Sequence, residues 1–275
     1  MTTIAQALAA ARRRGVDRLD AQLLLAQLLG CERAWLLAHD DEPLTAGALA
    51  QFEARLARRA AGEPLAYLTG TREFHGLALA VDARVLVPRP DTETLVDWAL
   101  ERLAALALPA PRVLDLGTGS GAIALAVKQA HPAARVTATD ASAGALEVAG
   151  SNARRLGLDI ELCTGSWWQA VAGRRFDLVL SNPPYVRSDD PHLAGLSHEP
   201  RTALTPGPTG LEAFEAIAGG ACEHLAPGAW LLLEHGWDQA AALRLLLARH
   251  GLTDPATRRD LSGHERCTGA RASAQ

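Results

Sequence analysis

The chain of 275 residues has few cysteines and no long apolar segment. None of its four cysteines has the short spacing of metal ligands; they stand at Cys31, Cys163, Cys222 and Cys267. Neither a secretory signal nor an apolar run of about 18 residues is present. These absences exclude a disulfide-stapled secreted domain, a structural zinc module and a membrane span. They lead us to expect reduced thiols, no metal and a cytoplasmic location.

The chain also lacks a general basic charge. Its formal net charge is −4 at pH 7, and its isoelectric point is near 6.1. Nucleic acid is therefore not the expected partner, and any positively charged surface that binds it has to be confined to one part of the protein. A run of cations occurs at Arg12-Arg13-Arg14, which we interpret as a solvated helix face. Contact of this run with ribosomal RNA or with an acidic protein surface is the alternative.

Three regions differ in residue pattern. Residues 1–70 have apolar residues at helical spacing and few β-branched residues, which predicts a small helical domain. Residues 71–88 have short alternating runs, which predict a β-hairpin linker. Residues 89–275 begin with an amphipathic helix, for which Asp91 or Thr92 is the expected N-cap. Since 48% of the residues are hydrophobic, the chain can bury the cores of two unequal domains.

From Arg112 onward, short apolar runs alternate with helical patterns. This alternation predicts parallel βαβ units in a doubly wound, Rossmann-like α/β sheet. We expect its last strand to be antiparallel, and its active site to lie at the carboxyl ends of the first and fourth strands. Strands are predicted at Arg112–Leu116, Arg135–Asp140, Asp159–Cys163, Phe176–Ser181 and Ala229–Glu234, with weaker runs near Leu252 and Arg266.

A glycine-rich turn follows the first of these strands. Residues 117–121 read Gly-Thr-Gly-Ser-Gly and lead directly into a helix, so that backbone and helix N-terminus can approach a ligand. Asp140 ends the next strand, where a carboxylate can accept hydrogen bonds from both ribose hydroxyls. Asp115 either binds an ammonium group, such as that of a methionine moiety, or makes strand-end hydrogen bonds. Ala122 replaces the third glycine of the dinucleotide fingerprint, which weakens an NAD interpretation.

The tetrapeptide Asn182-Pro183-Pro184-Tyr185 directly follows the apolar run 176–181. The prolines have no N–H group, so the loop presents oxygen acceptors without competing backbone donors. A planar NH2 group can donate one hydrogen to the Asn182 side-chain oxygen and the other to the Pro183 carbonyl, with its flat face on Tyr185. Because the chain has only two asparagines and two tyrosines, this cluster indicates a site that holds an amide or amino nitrogen for alkylation.

Together these motifs resemble those of a known family. The glycine loop, the acidic Asp140 and the Asn-Pro-Pro-Tyr segment are similar to class I S-adenosylmethionine-dependent methyltransferases that act on planar nitrogens. Within that group, the chain resembles the PrmC/HemK glutamine methyltransferases of bacterial release factors over essentially its whole length. Further matching stretches are Val87-Pro-Arg-Pro-Asp-Thr-Glu93, Asp190-Pro-His-Leu193, Glu199-Pro-x-x-Ala-Leu204 and Leu231-Leu-Leu-Glu-His-Gly-Trp237.

The resemblance implies that S-adenosyl-L-methionine methylates the side-chain amide of the glutamine in the Gly-Gly-Gln motif of class I peptide chain release factors. It also implies that residues 1–70 dock this substrate. The implied contacts of the methyl donor are Asp115, Gly117, Thr118, Gly119, Ser120, Gly121, Asp140, Trp167 and Asn182. The implied contacts of the glutamine are Asn182, Pro183, Pro184 and Tyr185, with Asn182, Pro183 and Tyr185 as catalytic residues. The family often has an acidic residue before Trp167, where this chain has Ser166.

We expect a monomeric enzyme without a metal or a dedicated general base. Glu199 is a weak candidate base, and an ion pair to Arg201 or to another arginine is its preferred role.

Three other functions fit parts of the pattern. An adenine-specific DNA methyltransferase would use the same tetrapeptide on a flipped base, but residues 1–70 lack the aromatic or basic stripe of a duplex-binding region. A sister glutamine methyltransferase that modifies a ribosomal protein would share the site and differ in residues 1–70. A non-catalytic nucleotide-binding or RNA-chaperone module would not need both loops intact.

Overall fold

The computed structural model describes residues 1–274. The chain folds into two compact units, Met1–Thr71 and the part from Arg72 onward. All four cysteines are free thiols. Within residues 1–274, no helix has the length and apolarity needed to cross a membrane.

Five helices form the first unit, and side-chain caps define the start of several of them. Thr3 accepts a hydrogen bond from Gln6 N in a reciprocal capping box, and Thr45 accepts one from Ala48 N. The side chains of Arg12–Arg14 are exposed, as expected for a solvated face. The helices are α1 (Ile4–Arg13), α2 (Arg18–Leu29), α3 (Arg33–Ala38), α4 (Ala46–Ala60) and α5 (Leu65–Thr69).

A β-hairpin follows these helices, formed by β1 (Thr71–Phe74) and β2 (Leu77–Ala80). The alternating runs predict a hairpin within residues 71–88, but the hairpin ends at Ala80 and residues 81–89 have no regular structure. Asp82 turns the chain here by accepting a hydrogen bond from Arg84 N at 3.0 Å, and nearby prolines lack the N–H groups that a ladder needs. The irregular segment forms one wall of the cavity described below.

The rest of the second unit is an α/β domain built around one sheet. Its helices are α6 (Glu93–Leu106), α7 (Ala122–Ala130), α8 (Ala143–Leu156), α9 (Glu212–His224) and α10 (Ala240–Arg249). Its strands are β3 (Arg112–Leu116), β4 (Arg135–Asp140), β5 (Glu161–Thr164), β6 (Phe176–Ser181), β7 (Leu225–Glu234), β8 (Thr253–Arg259) and β9 (Glu265–Arg271).

The sheet has the strand order β5-β4-β3-β6-β7-β9-β8. Strands β3 to β7 pair in parallel, and β9 runs antiparallel to β7. The predicted α/β class and the antiparallel last strand are therefore confirmed. Because β3 lies between β4 and β6, the order of the strands reverses there, which is where ligands bind in open α/β sheets.

Both faces of this sheet are covered by helices. Val113 and Leu178 pack on one face in a cluster that includes residues of α6 and α7. Leu114 and Val179 pack on the other face with residues of α9 and α10. Since successive strand residues point to opposite faces, the continuous apolar runs of these strands are explained by burial on both sides. The helices thereby hold the strand ends, and the loops that follow them, in fixed positions.

Two neighbouring glycines of α9 should respond in opposite ways to alanine substitution. A Cβ on Gly220 would lie 2.2 Å from Trp168 Cδ1, whereas a Cβ on Gly219 would meet nothing closer than 3.9 Å. We expect Gly220→Ala to destabilise the protein by about 1–3 kcal/mol through overpacking. Gly219→Ala should stabilise it by about 0.5–1 kcal/mol through helix propensity. Urea unfolding of both variants measures the difference, and equal midpoints would contradict the packing of Trp168 against α9.

Candidate active site

A cavity of about 400 Å³ lies at the carboxyl ends of β3, β4, β5 and β6. These ends meet at the same edge of the sheet because the four strands are parallel. The loops after the strands contribute residues 117–120, 140–142, 165–167 and two residues of the Asn-Pro-Pro-Tyr segment. Residues from the irregular segment before α6 and from the loop 200–203 complete the walls. The predicted location at the first and fourth strands of the sheet thus contains a cavity.

The loop after β3 brings backbone to the cavity. Gly117, Gly119 and Gly121 have φ values of 74°, 55° and 84°, which glycine adopts without steric strain. The N–H groups of Gly117 and Thr118 both donate to Thr139 O, at 2.9 and 2.8 Å, and so tie the loop to the end of β4. Gly121 is the N-cap of α7 and does not line the cavity, unlike residues 117–120. The loop can therefore surround part of a ligand closely.

Asp140 lies at the cavity with a fixed carboxylate. Its Oδ2 accepts a hydrogen bond from Gly119 N at 3.0 Å, and its Oδ1 accepts one from Ser142 N at 2.8 Å. Each oxygen keeps a lone pair for a further donor. A pair of vicinal hydroxyls, as on a ribose, is a suitable partner for this orientation.

The structure does not bring Asp115 into the cavity. Its side chain is fully buried below the glycine loop, where Oδ2 accepts hydrogen bonds from Thr118 Oγ1 at 2.6 Å and from Ala124 N at 3.2 Å. Burial raises the pKa of Asp115 to about 7, against the lowering effect of these two donors. Of the two roles left open by the sequence, the structure favours strand-end hydrogen bonding, because the carboxylate supports the loop from beneath.

The raised pKa of Asp115 predicts a pH-dependent stability. The folded state holds the proton between the unfolded value of 3.8 and about 7, so stability from this group is complete at low pH and is lost as pH rises through 7. The slope approaches about 1.4 kcal/mol per pH unit. Between about pH 5 and pH 7, wild type should lose about 2 kcal/mol relative to Asp115→Asn. If urea unfolding gave the same pH dependence of the free energy of unfolding for wild type and for Asp115→Asn, the protonated state of Asp115 would be refuted.

Trp167 forms part of the cavity wall in an unusual backbone conformation. Its φ is +47°, which is rare for a residue other than glycine. A Cβ added to Gly117 would lie 3.7 Å from Trp167 Cζ3, so the indole covers the glycine loop. Ser166, which departs from the family pattern, is exposed beside it at the cavity. Strained residues of this kind persist where the surroundings hold them, and here the strain turns an aromatic ring towards the ligand space.

Asn182 is held by its amide nitrogen. Its Nδ2 donates a hydrogen bond to Thr92 Oγ1 at 3.2 Å, and both residues line the cavity. Among residues 1–274, no protein donor is bound to Asn182 Oδ1, which is available as an acceptor. Thr92 makes no capping hydrogen bond to α6, and neither does Asp91. Thr92 thus stands at the predicted N-cap position of α6. Its hydroxyl does not cap the helix, because the chain enters α6 through a 3₁₀ turn at Pro90–Thr92 and the hydroxyl accepts a hydrogen bond from Asn182.

The remaining residues of the tetrapeptide take different positions. Pro184 lines the cavity, whereas Pro183 is buried and Tyr185 lies behind the wall. Tyr185 donates its hydroxyl hydrogen to Glu234 Oε1 at 3.3 Å, and its backbone oxygen accepts a hydrogen bond from Gln239 Nε2. Burial raises the pKa of Tyr185 well above its ordinary value, so the phenol stays neutral. The structure thus places Asn182 and Pro184 at the cavity, whereas Tyr185 is held by Glu234 and Gln239 outside it.

Glu199 has a structural position rather than that of a general base. Its side chain is only 3% exposed; Oε1 accepts a hydrogen bond from Arg89 Nη2 at 2.5 Å, and Oε2 accepts one from Val87 N at 3.1 Å. The preferred ion-pair role is confirmed, although the partner is Arg89 and not Arg201. These contacts join the irregular segment before α6 to the residue that directly precedes the loop 200–203, and so connect two walls of the cavity.

Sequence reasoning missed Thr92 and Glu234 as parts of the site. Both are buried, with 4% and 1% exposure; Thr92 accepts a hydrogen bond from the Asn182 side chain, and Glu234 accepts one from the Tyr185 hydroxyl. Glu234 is the last residue of β7, and Asp115 is the last but one of β3. A carboxylate near the end of a buried apolar run was therefore the available signal. Among residues 1–274, no group of three acidic, cysteine or histidine side chains is arranged to bind a metal.

Comparison with known proteins gives matches along the chain. Residues 1–70 match the family model described as the PrmC N-terminal domain, and residues 95–198 match the Methyltransferase small domain. The chain is 52% identical to a release factor glutamine methyltransferase of Bordetella pertussis, over 93% of this chain and 95% of the relative. It is 41% identical to a protein of that name from Escherichia coli, over 91% of each.

Solved structures of low identity share the fold. A methyltransferase from Pyrococcus furiosus superimposes with a TM-score of 0.53 at 18% identity, over 80% of this chain and 98% of its own. A 16S rRNA methyltransferase from T. Thermophilus, solved with AdoMet and guanosine, has a TM-score of 0.57 at 18% identity, over 74% of this chain and 49% of its own. These likenesses establish the class I methyltransferase architecture and carry no information on the substrate.

Proposed function

This chain belongs to the release factor glutamine methyltransferase family, and on that premise we propose that it methylates the glutamine of the Gly-Gly-Gln motif in class I release factors. The methyl group comes from S-adenosylmethionine and goes to the side-chain amide nitrogen. The observation that carries the proposal is the position of the Asn182 side chain. Its Nδ2 donates a hydrogen bond to Thr92, so that Oδ1 is available as an acceptor in the cavity that the glycine loop also lines. A donor loop and an acceptor loop thus meet at one cavity.

The residues present fit S-adenosylmethionine. In the proposal, the left-handed loop 117–121 surrounds its methionine end, Asp140 accepts hydrogen bonds from its ribose, and the Trp167 indole lies against its adenine. Asp115 acts through the loop, by holding Thr118, and does not contact the cofactor. When bound, S-adenosylmethionine supplies an electrophilic methyl group on a sulfonium sulfur.

Asn182 and Pro183 activate the acceptor amide. An amide nitrogen is a weak nucleophile because its lone pair is delocalised into the carbonyl. Asn182 Oδ1 and the Pro183 carbonyl would each accept one of its hydrogens and orient the nitrogen. As the nitrogen attacks, it loses planarity and its hydrogens become more acidic, so both acceptors bind the transition state more strongly than the ground state. Correct alignment lowers the barrier further.

No dedicated base is needed in this scheme. The product amide loses its extra proton after methyl transfer, when that proton is strongly acidic and water suffices as the acceptor. Glu199 is engaged by Arg89 and Val87, so we assign it to holding the cavity walls. The reaction therefore depends on positioning and hydrogen-bond acceptance by the Asn-Pro-Pro-Tyr loop.

The same proposal includes the docking of the substrate, the oligomeric state and the cellular location. We take residues 1–70 as the domain that docks the release factor, and we expect a monomeric enzyme that works in the cytoplasm, where translation factors act. DNA is not expected as a substrate, because the chain has a net charge of −4. A ribosomal protein is the alternative protein substrate, since a glutamine there would present the same amide.

Transfer of a labelled methyl group tests the proposal. The purified chain is incubated with labelled S-adenosylmethionine and, in parallel, with a class I release factor, its Gly-Gly-Gln→Gly-Gly-Ala variant, total ribosomal proteins and adenine-containing DNA. We expect label on the intact release factor alone. Label on ribosomal protein or on DNA would transfer the assignment to that substrate, and label on the alanine variant would refute the glutamine as acceptor.

A further inference from the structure

The guanidinium group of Arg89 faces the cavity with most of its hydrogen-bonding capacity unused. Arg89 lines the same cavity as Asn182 and Pro184, and 37% of its side chain is exposed. Its Nη2 donates a hydrogen bond to Glu199 Oε1 at 2.5 Å, and within residues 1–274 Glu199 is the one group that this guanidinium binds. A guanidinium presents several N–H groups in a planar fork. The other N–H groups of Arg89 can therefore donate to a ligand in the cavity.

The backbone of Arg89 is fixed by its neighbours in the sequence. Pro88 and Pro90 flank it, and a residue that precedes a proline is restricted to extended conformations. Arg89 has φ −99° and ψ 141°, as this rule predicts, and its carbonyl oxygen accepts a hydrogen bond from Thr92 N at 3.1 Å. Thr92 also accepts the hydrogen bond from Asn182 Nδ2. Arg89 is therefore held close to the Asn-Pro-Pro-Tyr loop before any substrate binds.

Glu199 orients the Arg89 side chain and balances its charge. The Glu199 side chain is almost fully buried, and its second carboxylate oxygen accepts a hydrogen bond from Val87 N at 3.1 Å. The carboxylate therefore has a fixed position, and so does the guanidinium nitrogen that donates to it. Because the pair carries no net charge, its matching ligand is a neutral group with acceptor atoms, such as a peptide carbonyl, and not a second anion.

A Gly-Gly-Gln substrate needs hydrogen-bond donors at this place. Its two glycines have no side chains, so an enzyme recognises them mainly through their backbone N–H and C=O groups. The Asn-Pro-Pro-Tyr loop supplies acceptors for N–H groups, since its prolines cannot donate. Pro88 and Pro200 line the cavity as well, and they also lack a backbone N–H. Arg89 supplies charged donors among walls that offer few.

We infer that Arg89 binds the backbone carbonyl oxygens next to the substrate glutamine, and that Glu199 is the positioning residue that aims its guanidinium. The inference rests on the proposed function and names the side chain that recognises the main chain of the substrate. Arg89 does not touch the reacting nitrogen. A contact away from the reacting atoms contributes equally to the bound substrate and to the transition state. Its loss therefore raises KM for the release factor and leaves kcat nearly unchanged.

Removal of the guanidinium together with its partner charge tests the inference. Arg89→Met alone would leave the buried Glu199 carboxylate unpaired, which is strongly destabilising, so the principal variant combines Arg89→Met with Glu199→Gln. Its KM for the release factor should rise about tenfold to a hundredfold, the effect of lost charge-assisted hydrogen bonds, while kcat stays close to that of wild type. Calorimetry should give an unchanged dissociation constant for S-adenosylmethionine, which also reports that the variant folds.

Two single substitutions extend the test and do not depend on the folding of the double variant. Arg89→Lys keeps a positive charge beside Glu199 but loses the planar fork, so its KM should lie between those of wild type and the double variant. Glu199→Gln keeps the guanidinium and removes the charge that aims it. Its KM should also rise, by less than in the double variant, without a change in kcat.

Arg112 and Asp177 provide a matched control pair. Arg112 Nη2 donates to Asp177 Oδ1 at 2.9 Å. Arg112 is the first residue of β3, so this pair lies at the opposite end of the strand from the cavity. The combination of Arg112→Met with Asp177→Asn removes the same two charges and should leave KM for the release factor unchanged.

The comparison of the two double variants decides the inference. Equal KM values for the release factor would overturn it. Weaker binding of S-adenosylmethionine with an unchanged KM would also overturn it, and would assign Arg89 to the carboxylate of the cofactor's methionine end. A loss of kcat with an unchanged KM would overturn it as well, because Arg89 would then act on the reacting atoms. Failure of the proposed function is distinct, since wild type itself would then not methylate the release factor.

Discussion

Replacement of Asn182 by alanine should lower the rate of methyl transfer by about a hundredfold to a thousandfold, the loss typical when one preorganised hydrogen-bonding group is removed from a transition-state site. The Asn182 oxygen is the side-chain acceptor of the Asn-Pro-Pro-Tyr loop at the cavity, and no protein donor within residues 1–274 competes for it. Single-turnover transfer to the release factor, with both substrates saturating, measures this rate directly.

Affinity for S-adenosylmethionine separates this effect from general damage to the site. The cofactor loop is held by Thr139 and Asp140, and neither depends on Asn182. The Asn182→Ala variant should therefore bind S-adenosylmethionine within a few fold of wild type, as measured by calorimetry. Asn182→Asp keeps an oxygen at the same place and is the closer control of shape. An alanine variant with a near-normal rate would show that another group holds the amide.

Asp140→Ala should act on cofactor binding instead. In the proposed complex this carboxylate accepts two hydroxyl hydrogens, so its removal should weaken binding of S-adenosylmethionine by about a hundredfold or more, since each charge-assisted hydrogen bond contributes about 1.5–3 kcal/mol. The substitution also releases Gly119 N and Ser142 N, which Asp140 binds in the free protein. At saturating S-adenosylmethionine, most of the maximal rate should return.

A matched control for this variant is Asp159→Ala. Asp159 is an exposed carboxylate between α8 and β5, away from the cavity, and its loss should leave the dissociation constant unchanged. Equal affinity in the Asp140 and Asp159 variants would move the ribose contact to another residue. A loss of maximal rate without a loss of affinity would instead give Asp140 a part in the chemistry.

The loops of the site could be predicted because each is short and follows a strand. Gly117 to Gly121, Asp140 and Asn182 stand at the ends of three apolar runs, and the parallel sheet brings such ends to one edge. The chemistry of each loop is local, so spacing along the chain was sufficient to find it. The parallel pairing of the first strands followed from the same pattern of alternation.

The supporting contacts could not be predicted, because they join residues that are far apart in the sequence. Glu199 and Arg89 are separated by 110 positions, and nothing in either segment specifies the other. The depth of Asp115 below the loop depends on how α7 packs, which spacing does not reveal. Strand β7 begins at Leu225, earlier than the predicted Ala229, because an irregular pairing with β6 continues the strand through Pro227 and Gly228.

The most direct test of the central claim is to locate the methyl group on the product. After reaction with S-adenosylmethionine, the release factor is digested, and tandem mass spectrometry assigns the added methyl group within the peptide that contains the Gly-Gly-Gln motif. We predict one methyl group on the glutamine side chain with wild type, and none with Asn182→Ala under the same conditions. A methyl group on any other residue, or equal methylation of the glutamine by Asn182→Ala, would contradict the account.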